Sequence, residues 1–378
     1  MLAVGVLILA VWLYLALLHG QFWRPLFAAP VDPLKAWPDV DIIVPARDEA
    51  EALPASLPSL LAQDYPGAWR IILVDDHSTD GTADCARKIA ATQGKADRLL
   101  VINAPDLPEG WSGKVAAMQA GAVQSKTAYI LFTDADIRHP PSSLRELTAR
   151  AERKKLDLAS LMVKLHCQSA AEKLLIPAFV FFFAMLYPFR HASDLDSKVA
   201  AAAGGVMLVR RQALDNIGGF ARIKSALIDD CALARAIKDN GGERGTQGSI
   251  ELTTTREVES LRAYPRFADI ERMVARCAYT QLHHSPLLLC GAMIGMGLLF
   301  LVPIWFFLAT PASVAACALG ALLIMTTIYV PMIVFYGLPF FWAFTLPLAA
   351  LFYIGATIDS ARLYWQGKGG TWKGRAQA

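Results

Sequence analysis

Two aspartates one residue apart, Asp134 and Asp136, directly follow the apolar run 128–133. Because a buried charge without a partner is costly, a strand that ends in two carboxylates indicates a site rather than packing. Carboxylates at this spacing can share one hard divalent cation, and Mg²⁺ or Mn²⁺ prefers oxygen ligands together with substrate phosphates. We therefore expect Asp134 and Asp136 to hold a metal ion, although the pattern alone occurs by chance in many chains.

Further candidate binding residues, most of them charged, follow two earlier apolar runs in the same way. They are Pro45, Arg47 and Glu49 after the first run, and Asp75 and Asp76 after the second. A carboxylate at a strand end can accept hydrogen bonds from a nucleobase or from ribose hydroxyls, whereas the plain structural alternative is an acidic turn that caps the next helix. Recurrence at successive strand ends favours the first interpretation. We expect these residues to bind a nucleotide-containing donor.

Three further segments add chemistry. Lys114 lies at a predicted turn into a helix, where its ammonium could neutralise phosphate, although the full phosphate-loop spacing is absent and such lysines are usually solvated. Gly204 and Gly205 open a predicted strand and would permit close approach of a sugar or acceptor; a simple bulge is the alternative. Asp229 and Asp230 begin a predicted helix, where they could complement the dipole or supply a general base for an acceptor hydroxyl.

Short apolar runs alternate with amphipathic stretches throughout residues 36–285, which carry nearly all the charge. This alternation predicts an α/β domain with a mostly parallel, Rossmann-like, doubly wound sheet. In such sheets, ligands bind at the carboxyl ends of the strands, where the motifs above lie.

Composition excludes several classes of protein. The net charge of +3 is too small to indicate a nucleic-acid partner, and the six cysteines show no Cys-x-x-Cys spacing. The absence of that spacing argues against a zinc site or a disulfide framework and fits a reducing compartment. Basic residues flank the apolar segments and suit an anionic cytoplasmic leaflet. They are Arg24, Lys35, Arg262, Arg266, Arg272 and Arg276.

The chain is 55% hydrophobic, and its longest apolar stretches predict membrane helices. Residues 1–20 predict an uncleaved anchor, and 286–360 predict two or three spans because Lys, Arg, Asp and Glu are absent from 286 to 358. A stretch at about 174–189 predicts an interfacial helix, with a buried core helix as the alternative. Residues 361–378 form a basic tail, which three spans would place opposite the soluble domain, against the positive-inside rule.

In this order the motifs resemble those of family 2 glycosyltransferases with the GT-A fold, over roughly 41–276. The matching segments are 44–49, 75–80, 134–136 and 229–233. More closely, the chain resembles the hopanoid-associated membrane glycosyltransferases of bacteria. The segments that carry this resemblance are 110–114, 175–183, 226–236 and 273–276.

The resemblance implies a metal-dependent hexosyltransferase that uses Mg²⁺ or Mn²⁺ and inverts the configuration of the sugar it transfers. The donor would be a nucleotide diphosphate sugar, expected to be a UDP-sugar, and the acceptor a membrane lipid, expected to be a hopanoid. A nucleotide donor would place the catalytic domain on the cytoplasmic face of a multi-pass protein in the bacterial inner membrane.

Roles follow from the resemblance for individual residues. Donor contacts are implied for Asp75 and Asp76, metal and diphosphate contacts for Asp134 and Asp136, and proton transfer for Asp230 with Asp229 beside it. Lys114 or Arg276 would help to stabilise the departing diphosphate.

Two departures from the family pattern matter. Processive members carry Gln-x-x-Arg-Trp, whereas 273–277 matches only at Arg276, which favours transfer of a single sugar. The segment 241–249 is polar where the family pattern has an aromatic-bearing strand, so the resemblance does not determine the geometry of the acceptor side. Two rivals remain: a glycosyltransferase acting on polyprenyl phosphate or a polysaccharide, and a non-catalytic membrane scaffold with a nucleotide-binding fold. Transport is disfavoured because the predicted spans carry no charge.

Overall fold

The computed structural model describes residues 1–369, 371–372 and 375–376. The chain forms two compact units. The helical unit comprises Met1–Pro25, Cys167–Arg190 and Ala263–Gly370, and the sheet unit comprises Leu26–His166, His191–Arg262 and Thr371–Ala378. Residues 370, 373–374 and 377–378 of the predicted basic tail lie outside the described residues.

The strands of the sheet unit are β1 Val40–Ala46, β2 Trp69–Asp75, β3 Leu99–Asn103, β4 Tyr129–Thr133, β5 Ile137–Arg138, β6 Leu158–Lys164, β7 Val206–Arg210 and β8 Ile250–Ser260, with a separate pair β9 Thr371–Trp372 and β10 Arg375–Ala376. The first eight form one sheet in the order β3-β2-β1-β4-β7-β6-β8-β5. Strands β3, β2, β1 and β4 are parallel neighbours, as are β6 and β8. β7 runs antiparallel to both β4 and β6. The α/β fold predicted from the sequence is confirmed.

The α-helices are α1 Leu2–Leu17, α2 Leu53–Leu61, α3 Thr82–Thr92, α4 Gly113–Gln124, α5 Ser143–Lys154, α6 Ala170–Leu186, α7 Phe189–Ala192, α8 Arg211–Asn216, α9 Asp229–Asn240, α10 Phe267–Ala275, α11 Ala278–Gln281, α12 Pro286–Met296, α13 Val302–Ala309, α14 Ala312–Phe335 and α15 Leu346–Trp365. A π-helical segment, Gly297–Leu301, joins α12 to α13. Short 3₁₀ segments are Ala96–Arg98, Gly219–Ile223, Glu243–Gly245 and Phe340–Thr345.

The sheet is buried on both faces, which explains why its central strands read as continuous apolar runs. Successive residues of a strand point to opposite faces, so Ile42 packs in one hydrophobic cluster and Ile43 in the other. Helices α2, α3 and α5 contribute to the first cluster, and α4 and α9 to the second. The helix pair on the second face carries Lys114 and Asp230, so core packing positions both side chains.

Three helices of the helical unit are long and apolar enough to cross a membrane: Pro286–Ala309, Ala312–Phe335 and Phe340–Trp365. They coincide with the spans predicted from the sequence. Helix α1 has 16 residues, which at about 1.5 Å per residue gives about 24 Å, less than the roughly 30 Å of a bilayer core. Its role as a membrane anchor stays a prediction.

The stretch predicted as an interfacial helix forms α6, which belongs to the helical unit. The Phe181 ring packs edge-on against Tyr329 with centroids 5.1 Å apart. Tyr353 Oη donates a hydrogen bond to Leu175 O at 2.8 Å. Helix α6 is therefore held among the apolar helices of its own unit, and its position at a membrane interface stays a prediction.

Helix α4 approaches the sheet most closely at Gly121. A Cβ atom there would lie 2.6 Å from Ile43 Cγ2 and 3.1 Å from Val74 Cγ2. Such distances are too short for carbon atoms in contact, so only glycine lets α4 lie this close to β1 and β2.

We expect Gly121→Val to destabilise the protein by about 1–3 kcal/mol, because the added carbons overpack a filled interface. The measurement is the midpoint of thermal unfolding in detergent. Val123→Ala is the control, since Val123 lies on the same helix and is 65% exposed. Equal midpoints for the two variants would contradict the close packing of α4.

Candidate active site

The carboxyl ends of β1 and β2 lie side by side, with Ala46 opposite Asp75. Arg47 Nη1 donates to Asp76 O at 2.6 Å and lies 3.4 Å from Asp76 Oδ2. Asp75 Oδ1 accepts a hydrogen bond from Ser78 N at 3.1 Å. The parallel register therefore brings together three of the residues predicted to bind the donor, while both aspartates are buried.

Arg262 joins two other predicted residues. Its Nη2 donates to Glu49 Oε1 at 2.8 Å, and its Nε donates to Asp136 Oδ2 at 3.0 Å. Ser260 Oγ donates to the same Asp136 oxygen at 3.1 Å. In the sequence Arg262 stands out only as a basic residue near an apolar segment, and no local pattern pairs it with Glu49, because the two are 213 residues apart.

Lys114 lies among the acidic residues at the end of β4. Its Nζ is 2.9 Å from Asp134 Oδ1 and 3.5 Å from Asp229 Oδ2. Within the described part of the chain the buried Asp229 Oδ2 accepts no hydrogen bond, and the Lys114 ammonium is the cation beside it. Burial lowers the pKa of Lys114, but the carboxylates of Asp134, Asp229 and Asp230 outweigh burial and raise that pKa above its ordinary value. Lys114 therefore stays charged.

Lys114 reaches this position from the first turn of α4. Ser112 is the N-cap, and its side chain accepts a hydrogen bond from Val115 N at 3.4 Å. Ser112 N in turn donates to Lys224 O at 2.7 Å. The predicted turn into a helix is present, and it directs the lysine to the carboxylates.

Asp230 has the environment of a proton acceptor. Its Oδ2 accepts from Gly204 N at 2.8 Å, and its Oδ1 accepts from Cys231 N at 2.7 Å. Burial and then the Asp229 carboxylate raise the pKa of Asp230 to about 6, although Lys114 acts in the opposite direction. A carboxylate that titrates near neutrality is suited to general-base catalysis.

Gly204 fits between these groups because it has no side chain. A Cβ atom there would lie 3.2 Å from Asp230 Oδ2 and 3.3 Å from Lys114 Nζ. Thr133 Oγ1 donates to Gly205 O at 2.8 Å, which ties this segment to the end of β4. Gly204 therefore allows a close approach of the backbone to side chains of the chain itself, and the approach of a sugar or acceptor stays a prediction.

Asp134 and Asp136 differ in what they can offer to a metal ion. The Asp134 side chain is 36% exposed and pairs with Lys114 through one oxygen, whereas Asp136 is nearly buried against Arg262. Among the described residues, no group of three or more His, Cys, Asp and Glu side chains gathers as a metal cluster. The accessible Asp134 carboxylate suits a divalent ion that takes further oxygen ligands from a bound diphosphate, as Mg²⁺ commonly does, and a site shared with Asp136 stays a prediction.

Two predicted residues contribute less directly. Pro45 is buried within β1, where it is paired with Val74. Arg276 is the C-cap of α10 in the helical unit, so its contact with a diphosphate stays a prediction.

A residue that the sequence did not suggest, His139, contacts Thr133 Oγ1 at 3.0 Å. Burial lowers the pKa of His139 to about 3, so it stays neutral.

Comparison with known proteins gives one family match. Residues 41–218 match the model described as "Glycosyl transferase family 2". The chain is 32% identical over 129 residues to dodecaprenyl-phosphate galacturonate synthase of Rhizobium johnstonii, a match that covers 34% of this chain and 36% of that protein. It is 31% identical over 124 residues to undecaprenyl-phosphate 4-deoxy-4-formamido-L-arabinose transferase of Serratia proteamaculans, which covers 32% and 35%. The matches thus span about a third of the length of these curated relatives.

A solved mannosyltransferase from Pyrobaculum calidifontis, in complex with GDP-Man and Mn²⁺, has a similar fold. The alignment covers 95% of this chain and 99% of that one, with a TM-score of 0.58 and 20% sequence identity. The predicted GT-A fold, with its mixed sheet and three apolar C-terminal helices, is confirmed.

We expect Arg262→Ala to lower the free energy of unfolding by about 1–3 kcal/mol, because two nearly buried carboxylates lose a charged donor. Thermal unfolding in detergent measures the effect. Arg138→Ala is the matched control: it removes an exposed ion pair with Glu259, which contributes at most about 1 kcal/mol. An Arg262 variant as stable as the control would show that this bridge is not structural.

Proposed function

We propose that this chain, whose residues 41–218 match the family 2 glycosyl transferase model, is a glycosyltransferase that transfers one sugar from a nucleotide diphosphate donor to a membrane lipid. The observation that carries this proposal is the convergence of Lys114, Asp134 and Asp230 at the end of β4. Lys114 would supply a cation for a diphosphate, and Asp134 an accessible carboxylate for a metal ion. Asp230, whose pKa is about 6, would supply the general base.

The donor would lie across the ends of β1, β2 and β4. Asp75 and Asp76 would accept hydrogen bonds from the nucleoside, with Asp76 fixed by Arg47. The ammonium of Lys114 would exchange its Asp134 partner for the diphosphate. A divalent cation held by Asp134 and Asp136 would neutralise the leaving group. We expect a UDP-sugar, although the structural relative was solved with GDP-Man.

Asp230 would act as the general base. As the acceptor oxygen bonds to the anomeric carbon, the bond from that carbon to the diphosphate oxygen breaks, and Asp230 takes the hydroxyl proton. Attack opposite the leaving group inverts the sugar configuration. Asp229 would keep its place beside Lys114 and maintain the negative charge around the base.

The acceptor could be one of two kinds of lipid. A lipid hydroxyl needs a base, and the raised pKa of Asp230 supports this type, with the hopanoid suggested by the sequence resemblance as the expected case. The named relatives favour a second candidate, polyprenyl phosphate. Its phosphate oxygen is already anionic and does not need Asp230.

The three apolar helices support a membrane protein. We place it in the bacterial inner membrane with the sheet unit on the cytoplasmic side, because nucleotide sugars are made in the cytoplasm and the relatives act on polyprenyl phosphates.

We expect Asp230→Asn to lower kcat for a hydroxyl acceptor by about 10²–10⁴-fold, because the amide cannot accept the proton. Since the pKa of Asp230 is about 6, kcat/KM of the unaltered protein should fall as the pH drops through that value, where the carboxylate becomes protonated. The assay is release of nucleotide diphosphate from UDP- and GDP-sugars, with a polyhydroxylated hopanoid or undecaprenyl phosphate.

The two acceptors give opposite results for this variant. If Asp230→Asn keeps its activity with undecaprenyl phosphate and no protein acts on the hopanoid, polyprenyl phosphate replaces the lipid hydroxyl as the proposed acceptor. Absence of release from every donor and acceptor pair, in folded protein, would reject the transferase and favour a scaffold.

We also expect EDTA to abolish release and Mn²⁺ or Mg²⁺ to restore it, because the metal offsets charge on the departing diphosphate. Asp134→Asn should raise the metal concentration needed for half-maximal activity. Asp84→Asn is the control, because Asp84 is an exposed acidic residue of α3 that pairs with Arg87. Full activity in EDTA would contradict metal dependence.

A further inference from the structure

Lys238 is a lysine that the proposed reaction does not use, yet it is only 2% exposed. Its Nζ lies within hydrogen-bond distance of four backbone carbonyl oxygens of one segment, 191–199. The acceptors are His191 O at 3.4 Å, Ala192 O at 3.0 Å, Asp194 O at 2.7 Å and Val199 O at 2.6 Å. An ammonium has three protons, so the three shortest contacts can all be made at once.

Such an arrangement needs an explanation, because lysine is almost never fully buried unless it is paired. Burial and then the Arg235 guanidinium lower the pKa of Lys238. The Asp194 and Asp239 carboxylates act in the opposite direction. Of the carbonyl groups that hold the ammonium, two end helix α7, and two, Asp194 O and Val199 O, belong to 193–199, which is neither helix nor strand. Lys238 therefore fixes the course of this segment.

The helix that carries Lys238 also carries the proposed base. Helix α9 begins with Asp229 and Asp230, and Lys238 lies eight residues after Asp230, which corresponds to about 12 Å along the axis. The segment that Lys238 holds at Val199 continues to Gly204, whose N–H donates to Asp230 Oδ2. Five residues span at most about 17 Å, so only a short connection joins the two anchors.

Further contacts line this short connection. Cys231 Sγ lies 3.7 Å from Ala202 O. Ser160 Oγ accepts from Ala203 N at 2.9 Å and donates to Ala203 O at 3.2 Å. The segment thus lies along α9 with one end fixed at Lys238 and the other at Asp230.

We propose that Lys238 is a positioning residue for sugar transfer: by holding 191–199 on α9, it keeps the Gly204 N–H on the Asp230 carboxylate. The inference rests on the proposed function for its catalytic consequence, while the structural part stands on the contacts alone.

The Gly204 contact bears on the chemistry of Asp230. Burial and the Asp229 carboxylate raise the pKa of Asp230, while Lys114, the Cys231 N–H and the Gly204 N–H lower it. Release of Gly204 would remove one of the groups that favour the charged form. The acid limb of the pH profile should then move to higher pH.

The test compares Lys238→Met with Lys198→Met in the full-length protein in detergent. Methionine keeps the length of the side chain but donates no hydrogen bond, and Lys198 is an exposed lysine of the same segment. We expect Lys238→Met to increase amide hydrogen exchange in 192–204 and to lower kcat by about tenfold or more. The donor KM should change less than twofold, and the acid limb of kcat/KM should shift upward. Lys198→Met should behave as the unaltered protein.

Unchanged exchange in Lys238→Met would overturn the proposal, as would faster exchange with unchanged kcat and pH profile. If the unaltered protein transfers no sugar, the proposed function fails, and hydrogen exchange alone decides whether Lys238 holds the segment. Should Lys238→Met not fold, Lys238→Gln retains two donors and should give a smaller change of the same direction. A Gln variant identical to the unaltered protein in exchange and pH profile would also overturn it.

Discussion

The site depends on one electrostatic constraint: three aspartates lie around a single ammonium, that of Lys114. Asp134 and Asp229 both lie within ion-pair distance of it, and Asp230 is near enough to raise its pKa. Carboxylates at such separations repel one another unless a cation or hydrogen-bond donors compensate. Without substrate, Lys114 provides that compensation, and the Gly204 N–H provides part of it at Asp230. A bound diphosphate would compete for the same ammonium, which links donor binding to the charge state of the base.

The two aspartates of the Asp-x-Asp pattern have separate partners. Asp134 pairs with Lys114, whereas Asp136 pairs with Arg262, which also holds Glu49. Their environments therefore differ: Asp134 is accessible, and Asp136 is fixed and nearly buried. Asp134 is therefore the more accessible of the two to a ligand, and Asp136 is the more firmly held.

Backbone packing sets the accuracy of these contacts. Helix α4 can present Lys114 because Gly121 lets it lie against β1 and β2. The chain just before β7 can pass Asp230 and Lys114 because Gly204 has no side chain. Helix α9 acts at both ends, through Asp230 at the site and Lys238 on the segment 191–199. Residues with no proposed substrate contact, Gly121, Gly204 and Lys238, thus set the geometry of the proposed site residues Lys114 and Asp230.

Much of this molecule is determined by the sequence itself. Alternating apolar runs predict the sheet, the uncharged C-terminal stretches predict the three long helices, and strand-end motifs predict which side chains meet, because parallel strands end at one edge. The residues Arg262 and Lys238 escaped prediction, since each acts on partners far away in sequence or on backbone carbonyls, which no side-chain pattern records. The tertiary structure alone decided that Asp134 and Asp136 take different cations and that Gly204 serves Asp230. Hydrogen bonds and ion pairs depend on distances of a few ångströms, and only the packed chain fixes those distances.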